Sequence, residues 1–103
     1  MKIVVISILV VPAYQNGYCV KQNNGDQNSG VIKINNLNIK SQTLKYDCLK
    51  KCHLYSTATG CEVIWDQGNR GCYVHTQEVA RGNGVPKHGC WIFNKGMSKT
   101  EVT

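Results

Sequence analysis

Six cysteines and three histidines hold most of the chemical potential of this 103-residue chain. Cys48, Cys52, Cys61 and Cys72, with His53, His75 and His88, supply enough soft donors for a zinc site. Their spacing is not that of a C-x2-C knuckle, so metal is the disfavoured reading and no cofactor is expected. A cysteine nucleophile would need one thiol left free beside a histidine base, and an even count argues against that. His75, on the strand that follows Cys72, is expected at the surface or half-buried. Asp47, Glu62, Asp66 and Glu78 offer no obvious carboxylate pair for hydrolysis. No Gly-x-Ser-x-Gly, His-Glu-x-x-His or phosphate-loop motif occurs. The expectation is a chain that is not an enzyme, with its six cysteines oxidised to three disulfides.

Disulfides need an oxidising compartment, and the N-terminus points to one. Met1-Lys2 gives a short positive start, and Ile3–Val11 is apolar apart from Ser7. Val11-Pro12-Ala13 ends the run with a small residue. Such a run is too short to cross a bilayer, which takes about 20 residues, and it suits signal peptidase. Residues 1–13 are therefore expected to be a signal peptide, cleaved near Ala13–Tyr14, with a secreted product and no membrane anchor. A buried strand is the competing reading, because Ile and Val also favour strands. The domain is expected over residues 14–95, with 96–103 as a flexible tail. A chain this small buries a limited core and leans on covalent staples.

The elements that position the cysteines follow from period and punctuation. Tyr14–Val20 leads into Cys19, flanked by Tyr18 and Val20, and fits a short first strand, and Lys21–Gly30 is a polar loop. Val31–Ile34 is expected to be a strand, with Asn35-Asn36 as a turn and Leu37–Lys40 as a second short strand. Ser41 or Thr43 can cap a helix in which Leu44, Cys48, Cys52 and Tyr55 form one inward stripe. Lys50, Tyr46 and His53 then face water. Ser56–Gly60 breaks the helix. Cys61, Val63 and Trp65 alternate as a strand with one apolar face, and Asp66–Gly71 reverses the chain into Cys72–His75. Gln77–Gly89 is expected as a long loop, and Cys90–Phe93 as the last strand. Trp65 is expected in the core. Trp91, out of phase with Cys90 and Ile92, has the better claim to an exposed face.

Fifteen pairings of six cysteines are possible in principle, and sequence alone does not choose among them. Geometry shortens the choice. Cys48 and Cys52 leave one helix face together and are poorly placed to bond to each other. Cys61 follows Cys52 after a short turn, and Cys72 can meet Cys48 one turn further back. The nested set Cys19–Cys90, Cys48–Cys72 and Cys52–Cys61 is the expectation.

The run Cys48-x3-Cys52-x8-Cys61-x10-Cys72, with Val63 and Trp65 after the third cysteine and Tyr73-Val74 after the fourth, resembles the PAN/Apple family. The resemblance extends from Cys19 to about Phe93. It implies the same nested pairing, and an α+β fold in which an antiparallel β-sheet cradles one α-helix. It also implies binding of proteins or carbohydrates, with no shared contact motif to carry over.

The net charge of +6 adds a second line. Lys40, Lys45, Lys50 and Lys51 gather around the helix, and Arg70 lies at the hairpin tip. A solubilising surface accounts for them, and so does an anionic partner such as a sulfated glycan or an acidic protein. Nucleic acid is not expected, because the aromatics are not interleaved with the charges. Lys45, Lys50, Lys51, Arg70 and Trp91 are the candidate contacts of a secreted binding module for an extracellular glycan or protein. A basic toxin-like or antimicrobial effector and a self-associating matrix component are the alternatives, and oligomeric state is left open.

Overall fold

Leu44, Cys48 and Cys52 are buried along one side of a nine-residue helix, packed against an antiparallel sheet. The computed structural model describes residues 12–22 and 30–93. In chain order these form strands β1 (Ala13–Asn16), β2 (Cys19–Val20) and β3 (Val31–Lys33), helix α1 (Leu44–Cys52), then strands β4 (Gly60–Ile64), β5 (Gly71–His75), β6 (Arg81–Gly82) and β7 (His88–Ile92). Five strands make one antiparallel sheet in the order β1-β7-β4-β5-β3, and β2 pairs with β6 in a small second one. The described residues thus form a small, disulfide-rich α+β domain with one helix on an antiparallel sheet.

The helix begins where Ser41, Thr43 and Asp47 hold one another. Ser41 Oγ accepts the Thr43 N–H at 3.0 Å, and Thr43 Oγ1 donates to Asp47 Oδ2 at 2.9 Å. Thr43 is the N-cap residue, but no side chain caps the first-turn N–H groups. After Cys52 the ladder tightens, with Leu54 N–H on Lys51 O and Tyr55 N–H on Cys52 O. Lys50, Tyr46 and His53 face water, as their spacing predicts.

In the hairpin, Cys61 lies opposite Val74 and Val63 opposite Cys72. These four side chains share the face that meets α1, because alternate residues of paired strands point the same way. All six cysteines pair in the expected nested set: Cys19–Cys90, Cys48–Cys72 and Cys52–Cys61. The main core joins Leu44, the two helix bridges, Val63, Val74, Trp91 and Phe93.

Several expectations fail, mostly for one reason: the sheet is covered on both faces. The first strand is split in two at Gly17. Its φ of 110° turns the chain out of β1, and a Cβ there would run into the backbone nitrogens of Asn83 and Gly84. Cys19–Val20 crosses to the face opposite the helix and pairs with β6, inside what the sequence presents as a loop. There Cys19, Val79 and Cys90 form a second small core, with Ile92 packed against it. Every residue of β4 is consequently buried, not one face alone. Trp91 belongs to the helix side of β7, opposite Cys61, and is only 6% exposed. His75 is 2% exposed, not half-buried. Leu37–Lys40 is not a strand: Asn38 accepts the Lys40 N–H on its side chain and the Ser41 N–H on its carbonyl, a local turn that competes with any ladder. Strand β7 starts at His88, two residues earlier than expected. The expected signal peptide (apart from Pro12 and Ala13), most of the Lys21–Gly30 loop and the expected tail lie outside the described residues.

The bridges close chain segments of very different length, 71 residues for Cys19–Cys90 against 9 for Cys52–Cys61. Because a bridge acts largely by restricting the unfolded chain, removing Cys19–Cys90 as an alanine pair should lower stability by about 4 kcal/mol. Removing Cys52–Cys61 should lower it by roughly 2–3 kcal/mol. Urea unfolding of both variants checks the order, and equal losses would show that local strain, not loop closure, dominates.

Candidate functional site

Two clusters of polar or charged side chains stand out, one on each face of the sheet. The first lies where α1, the edge strand β1 and the end of β4 meet. Lys45, on the flank of α1, places its Nζ 4.3 Å from the centre of the Trp65 ring and 5.4 Å from that of Tyr14. Tyr14 packs against Trp91 with ring centres 4.9 Å apart, which fixes its plane. Gly89 makes that possible, since a Cβ there would meet the Tyr14 ring at 2.7 Å. Tyr46, one residue along the helix, is 65% exposed. An ammonium over two ring faces is held by their quadrupoles, with about 0.5–1 kcal/mol at an exposed site. No carboxylate of the described residues comes within ion-pair distance of Lys45.

Trp65 is the centre of this cluster by its backbone as well. Its carbonyl accepts from Arg70 Nη1 at 3.3 Å, and its N–H donates to Lys87 O at 3.0 Å. Arg70 also donates from Nε to Ile39 O, so it clamps two loops. It is not a free cation at a hairpin tip. Lys50 is exposed and Lys51 half-buried, both away from the aromatic pair because successive helix residues turn by about 100°. Of the five expected contacts, then, Lys45 and Arg70 meet at Trp65, Lys50 and Lys51 stand apart, and Trp91 supports Tyr14 from below. Tyr14 and Trp65 are the residues sequence reasoning passed over as contacts. Nothing in the spacing of positions 14, 45 and 65 brings them together; only the pairing of Tyr14 with Trp91 and the register of β4 do so.

The second cluster is closed off. On the face opposite the helix, Glu62 Oε1 accepts from the Cys19 N–H at 3.0 Å and meets His75 Nε2 at 3.0 Å. His75 Nδ1 is buried and finds no partner among the described residues. Cys19 lies beside the pair, but its sulfur is bonded to Cys90. A carboxylate and an imidazole in contact could move a proton, yet at 8% and 2% exposure neither reaches a substrate from outside. The pair instead pins β2 onto the sheet. Its signal in the sequence is faint: Glu62 sits out of phase in an apolar strand and has no local partner.

Glu62→Ala should leave the Cys19 N–H and the His75 ring without an acceptor, lowering stability by about 3 kcal/mol. Glu62→Gln, which retains a carbonyl oxygen, should lose less, and an equal loss in thermal unfolding would count against the hydrogen-bonding role. Burial holds the Tyr14 hydroxyl above its ordinary 10.0, and like-charge repulsion from the neighbouring Tyr46 phenolate adds to the rise. The folded chain therefore keeps this proton when the unfolded chain has lost it. The stabilisation it gives is complete below pH 10 and declines as the pH rises further, through the Tyr14 titration. Absorbance titration of wild type and Tyr46→Phe should show Tyr14 titrating late, and somewhat earlier in the variant. Compared with known proteins, the chain matches no family model, no curated protein and no solved structure.

Proposed function

We propose that this chain is a secreted, non-catalytic binding module of PAN/Apple type that recognises an anionic extracellular carbohydrate, sulfated glycans foremost. The observation that carries the reading is Lys45, a cation without a carboxylate partner among the described residues, poised over Trp65 and Tyr14 at an accessible edge. Aromatic faces can stack on the apolar faces of sugar rings, and an ammonium beside them meets a sulfate or carboxylate. The net charge of +6 would raise the local concentration of such a polymer. Three bridges and a sheet covered on both faces support a rigid scaffold, which lowers the ordering cost of binding. The cysteine spacing and the single helix on an antiparallel sheet support the PAN/Apple reading, and secretion agrees with the three bridges.

The test is binding of oxidised protein to an array of neutral and sulfated glycans across a series of salt concentrations. Affinity for sulfated polymers should fall as salt rises, and Lys45→Ala should weaken it about tenfold, or 1.4 kcal/mol. Lys50→Ala and Lys51→Ala should each have a smaller effect. Trp65→Phe, which keeps a ring under Lys45, should retain most binding. A folded protein that binds no glycan would sink the carbohydrate reading and leave protein partners. Salt-insensitive binding to a neutral sugar would remove Lys45 from the site.

A further inference from the structure

The two bridges under the helix lie against each other. Cys48 Sγ is bonded to Cys72 Sγ, yet it sits only 3.4 Å from Cys61 Sγ, which belongs to the other bridge. All four sulfurs of Cys48, Cys52, Cys61 and Cys72 lie within 4.8 Å of one another, and all four residues are 0% exposed. They come from three elements: Cys48 and Cys52 four apart on α1, Cys61 on β4 and Cys72 on β5. In a tetrahedral zinc–thiolate centre the metal–sulfur distance is about 2.3 Å, so the sulfurs stand about 3.8 Å apart. The unbonded contact between Cys48 and Cys61 is already close to that spacing. The two bonded pairs must open and the remaining pairs, all within 4.8 Å, must settle toward that spacing, a movement that rotation about the cysteine side-chain torsions can supply.

We infer that these four cysteines form a closed site for one soft divalent cation, zinc first, when the two bridges are reduced. The helix supplies two donors one turn apart on one face, and the hairpin supplies one from each strand. Each bridge takes two electrons and two protons from a dithiol reductant, which is itself oxidised to a disulfide, and gives two thiols. The four thiols then release four protons as the ion binds, so loading strengthens as pH rises. The carbonyl oxygens of Glu62, Tyr73 and Cys48 lie 3.5, 3.8 and 3.6 Å from Cys48, Cys52 and Cys61 Sγ, placed to accept S–H bonds and not to stabilise thiolates. With four protein donors, all at 0% exposure, the ion would be structural and not catalytic. The same four positions hold the helix to the hairpin in either state, by bridges under oxidising conditions and by metal under reducing ones. This goes beyond the binding reading and does not depend on it.

The full chain, reduced with a phosphine, would be titrated with Co²⁺ and then Zn²⁺. One Co²⁺ per chain should give the charge-transfer and visible bands of tetrahedral cobalt thiolate, zinc should displace it one for one, and the near-ultraviolet circular dichroism of the folded chain should return with binding. Cys61→Ser should weaken binding by more than the roughly 100-fold that follows loss of an outer-shell partner. Cys19→Ser/Cys90→Ser should leave the one-to-one cobalt spectrum in place. Metal bound without recovery of tertiary signal, several ions per chain, or loss of the wild-type spectrum through Cys19 and Cys90 would each overturn the site.

Discussion

Two covalent ties between one helix face and two neighbouring strands fix almost everything else in this domain. Residues four apart on a helix stand about 6 Å apart along its axis. That distance suits the step from Cys61 on β4 to Cys72 on β5, which are offset by two residues in the register of the hairpin. The helix therefore has one direction and one height across the hairpin. Leu44, one turn before Cys48, is carried into the core by the same alignment, and Lys45 is carried to the flank where Trp65 follows β4. The core and the candidate contact surface are two results of one constraint.

The opposite face is organised differently. Among the described residues its apolar cluster is small: Cys19, Val79 and Cys90, with Ile92 against it. Direction there comes from Glu62, which accepts the Cys19 N–H and meets the His75 ring. A buried carboxylate tolerates little movement of its donors, since each lost bond leaves a polar group dry. Two-residue strands such as β2 and β6 could not hold a position by ladder hydrogen bonds alone. The Cys19–Cys90 bridge and the Glu62 contacts hold this one.

What could be read in the sequence was what depends on local period. Leu44, Cys48, Cys52 and Tyr55 show the helix, and the alternation of Cys61 and Val63 shows the strand beneath it. With those two elements placed, the choice of partners for Cys48 and Cys52 shortens, and the nested set is the one the structure has. What could not be read depends on contacts between distant segments. Trp91 is out of phase with Cys90 and Ile92 and so reads as exposed in the sequence, whereas both sides of β7 are covered. Asn38 ended a plausible strand by taking backbone bonds onto itself. The lysines around the helix looked like one patch in sequence, but helical rotation separates Lys50 and Lys51 from Lys45. The aromatic partners of Lys45 are 31 positions upstream at Tyr14 and 20 downstream at Trp65.

The pairing of β1 with β7 has a consequence for how the chain comes to be folded. Among the described strands these are the first and last in order of synthesis, and they are neighbours in the sheet. While the chain emerges from the ribosome, β1 has no partner until His88–Ile92 has followed it out. The helix and the β4–β5 hairpin can meet earlier, from residues 44–75 alone. Vectorial production therefore favours assembly from the middle outwards, with the N-terminal strand held waiting and its edge unpaired until the end.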